Sequence, residues 1–240
     1  LLSLKESYIY YNDPQLAVEI YLADNSTDKQ LIHYENFITD TMQIKYFNLD
    51  NLGYFGSAFK IYNNNNDIQS SDYLIISNVD VAVDKSFFYE LFTTNIDKNV
   101  AWAAPKIYSE YEKRDRNPKI IKRPSKKKMS LYLLLYKFPI IYYMYNLTLF
   151  KRKRNTVSTS SSIYAGHGSF IILTSYFLKY NNDINYPCFL FGEEIFLAEI
   201  IKKQKKIVNY YPNIVIYDDD HVSTKLMKKK AFFKYNYAAI

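Results

Sequence analysis

The chain reads as an α/β protein built on a Rossmann-like, doubly wound, mostly parallel sheet, and three observations predict it. The apolar run Tyr73–Ile76 has the length and composition of a strand buried on both faces, as strands inside parallel sheets are. Segments of strand and helix character alternate from Ala17 to Pro105. Two strands run directly into polar turns, at Asp24-Asn25-Ser26-Thr27-Asp28 and at Ser77-Asn78-Val79-Asp80. In an open sheet such turns face a common crevice outside the strands' carboxyl ends, which is where ligands bind. With 240 residues, 48% of them hydrophobic, the chain suffices for one domain with a sizeable core.

Taken in order, residues 1–10 read as the end of a helix, and Asn12-Asp13-Pro14 as a turn. Ala17–Ala23 is a strand, after which Ser26 and Thr27 are suited to cap a following helix. Ile44–Leu49 is a further short strand. The loop Asn51-Leu52-Gly53-Tyr54-Phe55-Gly56-Ser57-Ala58 then spends two of the five glycines within four residues. Gly53 and Gly56 permit a tight turn and close backbone approach to a ligand at a helix start. Asn63–Asn66 is low in complexity and reads as a loop. After Tyr73–Val83 come a helix near Lys85–Asn95 and a strand at Val100–Pro105. Asp80, with Asn78 beside it at a strand end, suits a divalent cation held against a phosphate; the alternative is a cap on the helix that starts near Asp84.

The composition then shifts. Lys119–Met129 holds six basic residues and no acidic one, Leu131–Phe150 is mostly apolar and aromatic, and Lys151–Arg154 is wholly basic. The apolar stretch is interrupted by Lys137, Pro139, Asn146 and Thr148, whereas a membrane span needs about 20 apolar residues. The expectation is a segment lying in the interface of an anionic membrane; the alternative is a helix pair packed on the domain. Ser158–Ser162 is a polar linker, and Ile163–Leu173 a strand broken by Gly166-His167-Gly168. Glu193 and Glu194 open an amphipathic helix whose inner face is Phe196, Leu197, Ile200 and Ile201. Carboxylates are favoured at a helix start by its dipole, and they also suit a general base at the mouth of a crevice. Ile207–Asp218 is strand, followed by Asp218-Asp219-Asp220-His221, whose residue types suit a metal such as manganese.

A net charge of +7 points to an anionic partner. A nucleic acid is set aside because no recognition motif accompanies the charge. The single cysteine, Cys188, forms no internal disulfide, so a reducing compartment is expected, and Leu1–Lys5 is too short for a secretory signal. The division read from composition is one domain over residues 1–240. It comprises residues 1–118, the basic and aromatic segment 119–155, a second half 156–225 and a basic tail 226–240.

In this order the motifs resemble those of the inverting family 2 glycosyltransferases with the GT-A fold, particularly bacterial enzymes of surface-polysaccharide synthesis. The matching pieces are Ala23-Asp24-Asn25-Ser26, the Asn51–Gly56 loop, Ser77-Asn78-Val79-Asp80, Gly166-His167-Gly168-Ser169-Phe170, Phe191-Gly192-Glu193-Glu194 and His221. The resemblance implies transfer of a sugar, with inversion, from a nucleotide-sugar donor to a hydroxyl of a saccharide or lipid-linked acceptor. It implies that Asp24, Asn25, Ser26, Gly53, Gly56, Asn78 and Asp80 bind the donor. Asp80 would hold Mg²⁺ or Mn²⁺, with His221 as a further ligand, and His167 and Gly168 would lie near the acceptor or the diphosphate. Glu194 would be the base, with Glu193 as the alternative. The implied location is cytoplasmic, peripheral on the inner face of the cell membrane. Three features depart from the family, one of them the base motif at Glu193-Glu194, which more often ends in Asp. Asn78-Val79-Asp80 stands where Asp-x-Asp or Asn-Pro-Asp is usual, and the chain begins inside the helix that follows the family's first strand. The sheet is therefore expected to lack that strand, and a domain that binds nucleotide sugar or a partner without turnover is the alternative function.

Overall fold

The computed structural model describes residues 1–26, 42–148, 157–218 and 228–240, and in it helices cover both faces of a mixed sheet. Helix α1 (Leu2–Tyr11) stops at Asn12, which takes the left-handed conformation that an asparagine tolerates (φ 47°). Strands β1 (Val18–Asp24) and β2 (Met42–Asn48) pair in parallel as a two-stranded sheet. Helix α2 (Tyr54–Asn63) follows, then a 3-10 turn at Asn66–Ser70, and β3 (Tyr73–Ser77), β4 (Val81–Val83) and helix α3 (Phe87–Thr93). Beyond β5 (Val100–Ser109) and the short β6 (Arg114–Asp115) come α4 (Lys126–Lys137) and α5 (Pro139–Thr148). The rest is β7 (Ser161–Ile163), β8 (Phe170–Thr174), α6 (Ser175–Tyr180), α7 (Glu193–Lys203), β9 (Ile207–Asp218) and α8 (Lys229–Ala238).

The larger sheet has the order β3-β8-β5-β9-β4, with β6 added to β5 and β7 to β9. The expected mostly parallel sheet is realised as a mixed one. β5 and β9 pair in parallel, while β8 lies antiparallel between β3 and β5, and β4 lies antiparallel on β9. An apolar run such as Phe170–Thr174 is buried along its whole length and looks the same in either direction, so its sense is invisible in its composition. Alternation along β8 shows the layers. Ile171 and Leu173 join one apolar cluster with α2, α6 and α7, while Phe170 and Ile172 join another with α3, against which α1 packs. Helices on both sheet faces are compatible with a Rossmann-like α/β fold.

β3 does not lie where the sequence places it. It is the end strand of its sheet; Tyr73, Leu74 and Ile75 are half-buried and Ile76 alone is buried. Among the described residues β1 and β3 each lack a strand partner on one edge. The Asn-rich loop is likewise more than filler. Asn63 clips the segment ahead of Tyr186, donating to the Ile184 carbonyl and accepting from its N–H, each at 3.0 Å.

Gly53, at the start of α2, has φ 78° and ψ 168°, a region that is essentially glycine-only. A Cβ there would stand 1.9 Å from the Phe189 carbonyl oxygen. The close approach anticipated at this glycine is thus to the 186–191 segment of its own chain. Gly53→Ala should destabilise the fold by about 2–3 kcal/mol, from backbone strain and the displaced carbonyl together. Gly56→Ala, whose new Cβ would meet only the Leu52 side chain at 3.2 Å, is the control. Equal urea midpoints for the two variants would show that Gly53 is not under this constraint.

Candidate active site

The pairing pattern brings distant segments to one sheet edge. β3, β5 and β9 run one way and β8 the other, so the loops after β3 and β5, the loop before β8 and the end of β9 at Asp218 share that edge. A hydrogen bond joins two of them: Asn78 N–H donates to the Ser169 carbonyl at 2.9 Å. Asp80 is not the cap of α3. The N-cap position is Ser86, which Asp84 holds in the preceding turn by accepting from its N–H at 2.9 Å, and β4 separates Asp80 from the helix. Asp80 instead sits in the 78–80 turn, where its charge is felt at the Tyr54 phenol.

The glutamate pair enters over a strained turn. Phe191 and Gly192 both have positive φ (66° and 84°) and swing the chain into α7, so that Glu193 and Glu194 occupy its first turn. Gly168 N–H donates to Glu194 Oε1 at 3.3 Å, and a Cβ on Gly168 would lie 3.2 Å from that same oxygen. The glycine therefore lets the loop and the carboxylates meet. Glu193 is turned inward. Burial, and then the charge of Glu194, push its carboxyl up to about 7, against the stabilising charge of Lys119 and a hydrogen bond from Tyr186. Its Oε2 and the Tyr54 hydroxyl are buried without a hydrogen-bond partner. The Tyr54 phenol is raised well above its ordinary value by burial, then by Glu193, Glu194 and Asp80. An unpartnered buried donor and an unpartnered buried acceptor are costly unless a ligand or water satisfies them.

His167 is held neutral, its pKa well below the ordinary range, by burial and then by Lys119, Arg116 and Arg114. Ser169 N–H donates to its Nδ1 at 3.2 Å, which leaves the ring proton on Nε2. Its own N–H donates to Asn117 Oδ1 at 2.7 Å, and Asn117 Nδ2 donates to the Pro105 carbonyl at 2.7 Å. Asp115 and the 2.8 Å ion pair of Arg116 with Asp218 pin the same loop to β5 and β9. Tyr54, Asn117, Arg116 and Tyr186 went unread in the sequence. Two are tyrosines among 26, and the others act through partners 50 and 102 residues away.

The remaining candidates divide. Asn25 Oδ1 accepts from Ser57 Oγ on α2 at 2.9 Å, which ties the β1 turn to the glycine-loop helix. Asp24 accepts from Ser26 N–H at 2.8 Å and from the Tyr46 hydroxyl, so it shapes its own turn. Thr27, His221 and Lys151–Arg154 lie outside the described residues. Among the described residues no three His, Cys, Asp or Glu side chains gather as metal ligands, and Asp218 is committed to Arg116. A single carboxylate such as Asp80 fits Mg²⁺ or Mn²⁺ of the kind held by one or two carboxylates and completed by substrate phosphates. No protein-family model matches the chain, and no curated protein matches it.

Proposed function

We propose that this crevice transfers a sugar from a nucleotide-sugar donor to an acceptor hydroxyl, with inversion, as the resemblance to family 2 glycosyltransferases implies. One observation carries the reading. The 78–80 turn, the start of α2, the Gly166–Ser169 loop and the Glu193–Glu194 pair, far apart in sequence, surround buried polar groups that have no partner. Glu194, steadied by the Gly168 N–H, takes the proton of the acceptor hydroxyl as that oxygen attacks the anomeric carbon. The bond to the nucleoside diphosphate breaks on the opposite side, which inverts the centre. Glu193 holds its proton to about 7 and so limits the charge beside Glu194. Neutral His167 offers Nε2–H as a donor, and Lys119 supplies positive charge toward the leaving group. Asp80 would hold Mg²⁺ or Mn²⁺ there, which neutralises charge developing on the diphosphate.

A panel of UDP-, dTDP- and GDP-sugars, each with and without Mn²⁺, tests the reading by thermal stabilisation. At about 100 times the Kd a bound donor adds roughly 2.7 kcal/mol of stability. Asp80→Ala should abolish the Mn²⁺-dependent part of that shift, measured against the variant's own unliganded melting temperature. Stabilisation without transfer to any acceptor would favour the binding domain. No stabilisation by any member of the panel would remove the assignment.

A further inference from the structure

We propose that α4, α5 and α8 form a platform that docks on the surface of an anionic bilayer. The three helices pack through one aromatic cluster. Tyr136 of α4 and Tyr142 of α5 meet Phe232 and Phe233 of α8, with ring centroids 5.2–6.4 Å apart. Tyr142 turns α5 toward its neighbours, and the opposite stripe faces outward. Ile140, Met144 and Leu147 follow i, i+4, i+7 spacing and are 76%, 62% and 86% exposed, while Tyr143 joins Tyr142 against Phe233, with ring centroids 5.9 Å apart. No residue of α5 is buried. On α4, Leu131, Leu134 and Phe138 continue the exposed apolar surface, with Lys127 on the same face one turn before Leu131.

Lysine supplies all the charge on these helices. α4 carries Lys126, Lys127, Lys128 and Lys137, α8 carries Lys229, Lys230 and Lys234, and neither they nor α5 contain an acidic residue. Exposed aliphatic side chains amid uniform positive charge suit an anionic bilayer, which takes the first among its acyl chains and the second at its head groups. A second copy of the chain fits less well, because a self-complementary contact sets lysines against lysines. A nucleic acid leaves Ile140, Met144 and Leu147 without a role. At 10 residues α5 is about 15 Å long, half of the roughly 30 Å hydrocarbon core, so it lies in the interface. No helix of the described residues is long and apolar enough to cross a membrane.

The platform also reaches the crevice. Phe232 of α8 lies 5.8 Å from the Phe191 ring, and a Cβ on Gly192 would stand 2.9 Å from the Ala239 carbonyl. The helix that rests on α4 thus abuts the turn that launches Glu193 and Glu194.

Co-sedimentation with phosphatidylcholine vesicles, with and without phosphatidylglycerol, tests it. Binding is expected with phosphatidylglycerol in low salt and should weaken as salt rises. Each lysine near the surface contributes about fivefold, so the triple variant Lys126→Gln, Lys127→Gln, Lys128→Gln should lose roughly 10²-fold in partition. Leu147→Trp adds a reporter to a chain whose own Trp102 is buried, and its emission should shift to the blue on anionic vesicles. All four substitutions are at exposed positions, so unchanged circular dichroism and melting are expected for each variant. The proposal fails if neutral and anionic vesicles bind equally, if the tryptophan emission stays fixed, or if the free protein forms a dimer that Leu147→Asp dissociates.

Discussion

Glu194→Gln should keep the donor-induced rise in melting temperature and lower turnover by about 10²–10⁴-fold, the usual worth of a general base. The amide keeps the shape of the carboxylate and still offers an oxygen to the Gly168 N–H, 3.3 Å away in the native protein. What it loses is the capacity to take a proton from a hydroxyl that is a poor nucleophile at neutral pH. The measurement is transfer with the nucleotide sugar that most raises the melting temperature. Full turnover in Glu194→Gln with loss in Glu193→Gln would transfer the role to the inner carboxylate. Full turnover in both would sink the site.

Glu193→Gln should melt above the parent at neutral and alkaline pH. In the unfolded chain this carboxyl ionises at the ordinary value of 4.5, whereas the fold holds its proton to about 7. The folded state is the tighter proton binder. Its advantage is complete below pH 4.5, declines as pH rises toward the folded value, and is gone above about 7. The interval amounts to about 3 kcal/mol, or roughly 6–12 °C in Tm for a chain of this size. A glutamine has no charge to bury, so the difference between variant and parent should open between pH 4.5 and 7 and then stay constant. Parallel Tm–pH curves for the two proteins would contradict the inward placement of Glu193.

Much of this was legible in the sequence where side-chain pattern alone determines structure. Ile207–Asp218 forms the strand expected of it, and Glu193–Glu194 open a helix that buries Leu197 and Ile201. The break at Gly166-His167-Gly168 is present, and β8 begins at Phe170, just beyond it. Strand direction was not legible, because hydrophobic runs carry no arrow. Nor was the edge position of β3, which depends on which strands hydrogen-bond to it and not on its own composition. Within the site, most motif residues were read, Tyr54 between Gly53 and Gly56 excepted, and the partners Asn117 and Arg116 that act across the sheet were not. Arg116, whose guanidinium reaches Asp218 at the end of β9, reads in the sequence as one more basic residue in a charged stretch. The Leu131–Phe150 segment was expected in a membrane interface or packed on the domain. Of these, the packing is observed: α4 and α5 pack through Tyr136 and Tyr142, and Ile140 and Leu147 are left exposed.

Asn117 spans the gap between β5 and the histidine loop with one side chain, giving a hydrogen to Pro105 and receiving one from His167. An amide does both, whereas a carboxylate has no hydrogen to give. Conversion to aspartate by spontaneous deamidation would therefore cut the clamp on the Pro105 side and place a charge in a nearly inaccessible position, 1% exposed. That ageing reaction starts when the nitrogen of the following residue attacks the side-chain amide, and it needs a hydrogen on that nitrogen. The following residue is Pro118, whose ring nitrogen has none. The chain thus keeps this amide where the cyclisation that erodes asparagines over a protein's lifetime cannot begin.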